Sequence, residues 1–144
     1  MMGRLTLMPL CLAIVFAMGS ARARESDTDF KIPETEIIKA MQAAVRADDK
    51  DWFVNHLHYP VRYYGKPNHT ITSKDWFLKN YATIIGPKLK DAILAQNPED
   101  YLKNYQGLMV GEGSHNIWLE EFGDPGSPDI GSNYQIITIN NTDR

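Results

Sequence analysis

Two histidines separated by one residue are the first side chains that could do chemistry. On an extended backbone His56 and His58 point to the same side, which suits a metal ion or an acid–base reaction. His69 and His115 could join them only if the fold brought distant segments together. Because this spacing alone is weak, we expect two histidines at a helix–strand junction, with no metal and no other cofactor.

The predicted strands carry few carboxylates that could act as acid or base. Glu120 and Glu121 are adjacent, so they point to opposite faces of a strand and cannot form a dyad. The three aspartates of residues 48–51 fall in a charged turn, where solvated side chains are the ordinary outcome. An isomerase- or hydrolase-type enzyme, in which a histidine works with a carboxylate brought near by folding, is left as an alternative.

Nucleophilic catalysis has no support in the sequence. No serine lies in a Gly-x-Ser-x-Gly elbow, and Ser73 is better explained as a helix cap. The single cysteine, Cys11, belongs to an apolar N-terminal run. The rest of the chain therefore has no thiol for a nucleophile, an iron–sulfur cluster or a thiolate zinc site.

The first 23 residues have the three parts of a secretory signal. Residues 1–4 are short and basic, residues 5–20 are mostly apolar, and Ala21 and Ala23 form a small-x-small cleavage site. The apolar run is shorter than the 20 or so residues of a comfortable membrane span. We therefore predict cleavage after Ala23, a periplasmic or secreted protein, and no stable membrane anchor after cleavage.

The predicted organisation is a signal peptide at 1–23, a flexible leader at 24–32 and a single domain at 33–144. Two of the 15 Lys and Arg residues, Arg4 and Arg22, fall in the signal, whereas all 18 Asp and Glu residues follow it. The mature chain thus carries a net charge of about −5, which argues against nucleic acid and anionic membranes as partners. Without disulfides, the domain must depend on its hydrophobic core.

The spacing of apolar residues predicts helices first and strands last. Helices are expected from Pro33 to about residue 47 and at 51–57, 74–85 and 89–95, with Asp51 and Ser73 as N-caps; strands are expected at 61–64, 69–72, 101–110, 115–122 and 134–140. The first two strands are predicted to form a hairpin around the turn at 65–68. The pattern predicts an α+β fold, with N-terminal helices packed on a curved antiparallel sheet.

Several short sequence segments, spread over most of the mature chain, resemble those of one known superfamily. They lie at residues 58–62, 75–78, 85–87, 104–111, 117–119 and 136–140. Together with the element order, they are similar to the nuclear transport factor two-like superfamily, also called ketosteroid-isomerase-like or cystatin-like cone, and in particular to its small exported bacterial members without established activity. The resemblance implies a cone-shaped fold. The isomerases of that superfamily use a carboxylate base in the mouth of the cone, whereas the C-terminal strands predicted here carry no aspartate.

Amide and aromatic side chains on the predicted sheet are the candidate binding residues. They are Tyr63, Asn104, Tyr105, Gln106 and Trp118, to which His56 and His58 are added. Alternation along 101–110 would place Tyr105 on one face and both Asn104 and Gln106 on the other. Both sheet faces are partly apolar, so the uncovered one would suit a pocket, a homodimer across the sheet or a protein partner.

These observations predict an exported binding protein without a catalytic centre of its own. Analogy with other small exported domains of the superfamily favours a protein-directed role, such as neutralising a toxin or an enzyme in the same compartment. The acidic balance of the chain would suit a basic partner. The alternative is a protein that holds a small apolar ligand in the pocket of the cone.

Overall fold

The computed structural model describes residues 32–123 and 133–143. The predicted signal peptide, with its cleavage site at Ala21 and Ala23, lies outside these residues, as does nearly all of the predicted leader. In the part of the chain that is described, no helix has the length and the apolar character needed to cross a bilayer.

The described chain forms an α+β fold, as the sequence predicts. The helices are α1 (Pro33–Ala47), α2 (Lys50–Asn55), α3 (Lys74–Lys79), α4 (Tyr81–Ile84) and α5 (Pro87–Ala95), and the strands are β1 (Leu57–Tyr64), β2 (His69–Ile71), β3 (Leu102–Asn104), β4 (Gly107–Glu112), β5 (His115–Glu121) and β6 (Tyr134–Asn141). Helix α5 packs on β4 and β5, and α1 packs on α5. The helices therefore cover one face of the sheet.

Local signals explain where the helices begin and end. Pro33 opens α1 as predicted, and Asp48 ends it in a left-handed conformation (φ 49°) with its N–H donated to the last turn. Ser73 caps α3 as predicted, since its Oγ accepts a hydrogen bond from the N–H of Trp76 (3.2 Å).

Two predicted helix features are wrong. The N-cap of α2 is Asp49, whose carboxylate accepts from the N–H of Trp52 (3.0 Å), so Asp51 lies inside the helix. The helix predicted over 74–85 is broken at Asn80, which ends α3 and begins α4. The Asn80 side chain donates to the carbonyl oxygen of Trp76 (2.8 Å), a local bond that competes with regular helix.

The sheet has six strands in the order β2-β1-β6-β5-β4-β3. It is mixed, which corrects the antiparallel expectation: β1 and β6 run parallel, and the other neighbours run antiparallel. The predicted β1–β2 hairpin is confirmed. Apolar alternation shows which face of a strand is buried but not the direction of its neighbour, so the parallel pair had no signal in the sequence.

The single strand predicted over 101–110 is wrong, because the chain turns there and forms β3 and β4. The carbonyl oxygen of the Asn104 side chain accepts from the N–H of Gln106 (2.8 Å) and closes the turn. Gly107 follows with φ +122°, and a Cβ there would lie 2.2 Å from the carbonyl oxygen of Leu119. The prediction that Tyr105 lies on one face of a strand, with Asn104 and Gln106 on the other, is therefore wrong.

Fully buried side chains fill the layer between the helices and the sheet. The helices supply Ile38, Met41, Leu89 and Ile93, and the strands supply Leu108, Val110, Ile117, Leu119, Ile136 and Ile139. Burying one such side chain contributes about 1.5–3 kcal/mol to folding. The described part of the domain thus rests on an apolar core between the helices and the sheet.

Candidate binding site

The sheet has a second face, turned away from the helices, which we term the outer face. Strand register aligns Arg62, Thr138, Trp118, Met109 and Leu102 in one row across five strands of this face. Buried neighbours along β1, β4 and β5, such as Val61, Leu108 and Ile117, point into the core. The row therefore marks the surface that the described helices leave uncovered.

A groove of about 470 Å³ crosses the outer face. It is lined by Arg62 and Tyr64 from β1, Ile137, Thr138 and Asn140 from β6, Trp118 and Glu120 from β5, and Tyr105 and Gln106 from the β3–β4 turn. This volume falls within the range of small-molecule sites. The groove joins four segments that are far apart in the sequence.

Three aromatic rings of the groove reach solvent. Tyr105 is 96% exposed and Tyr64 is 41% exposed, whereas Trp118 is half-buried. The Asn104 bond and the backbone of Gly107 hold the turn that carries Tyr105, so the backbone at this residue is fixed. Large rings left open on an ordered surface are a mark of binding sites.

Polar groups of the groove are unpaired or oriented for a ligand. Within residues 32–123 and 133–143, Arg62 and Glu120 have no ion-pair partner. The Asn140 amide nitrogen donates to the side-chain oxygen of Asn116 (2.7 Å), and Asn116 in turn donates to the carbonyl oxygen of Gly113 (2.7 Å). This chain of bonds fixes Asn140, and among the described residues no group donates to its side-chain oxygen, which can accept from a ligand.

Irregular pairing shapes the floor of the groove. Trp118 pairs with Thr138, but the next residue, Leu119, pairs with Ile136, so Ile137 is an extra residue in β6. The pairing of β1 with β6 is interrupted at the same place. Bulges bend a strand and redirect its side chains. Ile137 consequently lines the groove instead of pairing regularly.

The groove contains only part of the predicted site. It brings together Tyr105, Gln106 and Trp118, with Asn104 bonded behind them in the turn. Tyr63 is 4% exposed and belongs to the core, so it is not part of the outer face. The groove also contains residues that were not among the predicted ones, namely Arg62, Tyr64, Glu120, Ile137, Thr138 and Asn140. Because side chains alternate between the two faces of a strand, burial of Tyr63 would have placed Tyr64 on the outer face. The other residues could be assigned to the groove only once the strand order was known.

The two predicted histidines do not form a shared site. His56 ends α2, where its Nδ1 donates to the carbonyl oxygen of Trp52 (2.6 Å) and its ring stacks on that indole. His58 stacks on Phe122 (4.0 Å between centroids), and its Nδ1 lies 2.8 Å from Gln135 Oε1. Across the described ranges, no three His, Cys, Asp or Glu side chains are placed to hold a metal ion.

A partly buried ionic cluster joins the start of α1 to the sheet. Glu34 accepts hydrogen bonds from Lys103 and from the hydroxyl of Tyr134 (2.7 Å). Burial acts to raise the pKa of Glu34, but these two hydrogen bonds outweigh it and hold the pKa below its usual value. Burial raises the pKa of Tyr134 to about 12. Because the three groups satisfy one another, the cluster is suited to holding elements together.

The chain matches no family model, no curated protein and no solved structure in comparisons with known proteins. The chemistry of the groove is therefore argued from its own residues. Its three aromatic rings and its unpaired polar side chains can hold a ligand without forming a covalent bond.

Proposed function

We propose that the protein is a noncovalent binding domain that acts outside the cytoplasm, and that its binding site is the groove on the outer face. One observation carries this proposal: Tyr64, Tyr105 and Trp118 open to solvent beside unpaired polar groups. Exposing apolar rings costs free energy that a bound ligand recovers.

The packed core weighs against the two alternatives that use a pocket inside the fold. A small apolar ligand would have to displace fully buried side chains such as Leu108 and Ile117. An acid–base enzyme needs two titratable groups within reach of one substrate. Among the described residues that line the groove, Glu120 is the one carboxylate, and none is a histidine.

A protein partner is the second candidate, and the exposure of Tyr105 favours it. Trp, Tyr and Arg are enriched among the residues that dominate protein interfaces, and the groove presents all three types. In this version the domain would neutralise a toxin or an enzyme in its own compartment by docking its outer face on that protein.

The element order supports a further part of the proposal, that the fold is the cone of the nuclear transport factor two-like superfamily. A long helix, a short helix, a hairpin and further helices precede a meander of antiparallel strands. The side chains of Ala21 and Ala23 support export through a cleaved signal.

The test is affinity capture by the protein, purified after export directed by its own predicted signal peptide. Immobilised wild-type protein is exposed to extracts of the producing organism and its competitors, beside the groove variants Tyr105→Ser and Arg62→Ala. Lys74→Ala serves as the control, because this residue is exposed and lies outside the groove.

We expect wild-type and control proteins to retain the same molecule and each groove variant to lose at least about tenfold in affinity. Retention that is equal in the groove variants and the control would remove the groove as the site. N-terminal sequencing of the purified protein should begin at residue 24, and an uncleaved N-terminus would contradict the export prediction.

A further inference from the structure

We infer that the ligand of the groove is a neutral saccharide, bound as a short glycan chain. This inference rests on the proposed function and names the chemical class of the ligand. It follows from three properties of the groove: its aromatic faces, its planar hydrogen-bonding groups and its charge.

The aromatic side chains supply surfaces on which sugar rings stack. One face of a pyranose is a layer of C–H groups, which packs flat on the π-face of an aromatic ring. Trp118 lies within the groove, and Tyr64 and Tyr105 come from its two sides. Strands β1 and β5, which carry Tyr64 and Trp118, are separated by β6 alone, so their backbones lie about 10 Å apart. That separation leaves room for more than one sugar ring.

The polar side chains match pairs of neighbouring hydroxyl groups. The guanidinium of Arg62 offers paired donors, and the carboxylate of Glu120 offers paired acceptors. Neither has an ion-pair partner among the described residues. The amides of Gln106 and Asn140 add both donors and acceptors, and Asn116 holds Asn140 in place. Two hydroxyls on adjacent sugar carbons can bond simultaneously to one such planar group.

The same residues disfavour other ligand classes. An apolar ligand would desolvate Arg62 and Glu120 without pairing them. A single-stranded nucleic acid stacks on aromatic rings but needs a cationic track, whereas this groove has one arginine opposed by one glutamate. The cores of protein interfaces are depleted of glutamate, and here Glu120 lines the groove itself. A neutral polyhydroxy ligand satisfies all of these groups.

The test is calorimetric titration of the exported protein with defined tetrasaccharides: chitotetraose, cellotetraose and maltotetraose. We expect saturable binding of at least one of them with a dissociation constant of about 1 mM or tighter. Trp118→Ala and Tyr105→Ser should weaken binding at least about tenfold. Tyr105→Phe keeps the stacking face and should bind nearly as well as wild type.

Lys74→Ala is the matched control and should bind like wild type, with far-UV circular dichroism confirming that every variant is folded. If no tetrasaccharide binds at about 10 mM, the saccharide inference is overturned. In that case, a captured protein whose retention still depends on Tyr105 would leave the proposed function standing and identify a protein partner. Loss of both activities would overturn both proposals.

Discussion

Among single residues, Glu34 makes the contacts that join the start of α1 to two strands. Its carboxylate accepts from Lys103 on β3 and from Tyr134 on β6. Burial acts to raise the pKa of Glu34, but the hydrogen bonds and the charge of Lys103 favour its charged form, so its pKa in the folded protein lies below the ordinary value of 4.5. Such a shift contributes stability that is present above the unfolded-state pKa and is lost as the pH falls through the folded-state pKa.

The variant Glu34→Gln should therefore lower the free energy of unfolding at pH 7. It should also flatten the loss of stability that the wild-type protein shows below about pH 4.5, because the carboxyl that titrates there is gone. Urea unfolding at pH 7 and at pH 3, followed by circular dichroism, measures both effects.

Glu36→Gln is the control for this change. It removes a charge from the same first turn of α1 and hence the same interaction with the helix dipole. It leaves the bonds to Lys103 and Tyr134 intact. If the two variants lost equal stability at pH 7, the dipole and not the cluster would explain the effect of Glu34.

At the scale of elements, the β3–β4 turn positions Tyr105 beside the groove. Its geometry depends on Gly107, which has a positive φ and lies against the backbone of β5. Gly113, in the next turn, also has a positive φ (+57°), but a Cβ there would meet nothing within 4 Å. The two glycines therefore separate the cost of backbone strain from the cost of a steric clash.

Gly107→Ala should destabilise the protein by about 2–4 kcal/mol, because strain and a clash with Leu119 add together. Gly113→Ala should cost about 1–2 kcal/mol, since it introduces strain alone. Chemical denaturation of both variants measures the difference. Equal losses would show that β5 moves away from residue 107 at little cost, and that the turn is less fixed than its contacts indicate.

Elements with local signals could be predicted from the sequence, and those that depend on distant partners could not. Pro33 and Ser73 mark helix starts through bonds within one turn. The break at Gln106 was missed, although Asn104 and Gly107 are ordinary turn residues, because the apolar alternation around them looked continuous. The outer face brings Arg62 beside Thr138 through a parallel pairing of strands remote in sequence, which no local pattern encodes.

At the scale of the whole molecule, the two faces of the sheet have different surroundings. The face toward the helices holds the core, and the outer face holds the groove. Because successive residues of a strand point to opposite faces, positions that stabilise the core alternate along the same strands with positions that would contribute to the proposed binding. A change on one face should therefore leave the property of the other face largely intact.

The adjacent tyrosines of β1 test this division with the same substitution at each. Tyr63 is buried in the core and Tyr64 lies in the groove, 41% exposed. Tyr63→Ala should cost about 3–5 kcal/mol of unfolding free energy, as other buried aromatic truncations do. Tyr64→Ala should cost about 1 kcal/mol or less, yet weaken ligand binding at least about tenfold. Urea unfolding and titration of both variants supply the comparison. If Tyr64→Ala destabilised the fold as much as Tyr63→Ala, the outer face would be part of the folding core, and its exposed rings would no longer argue for a ligand.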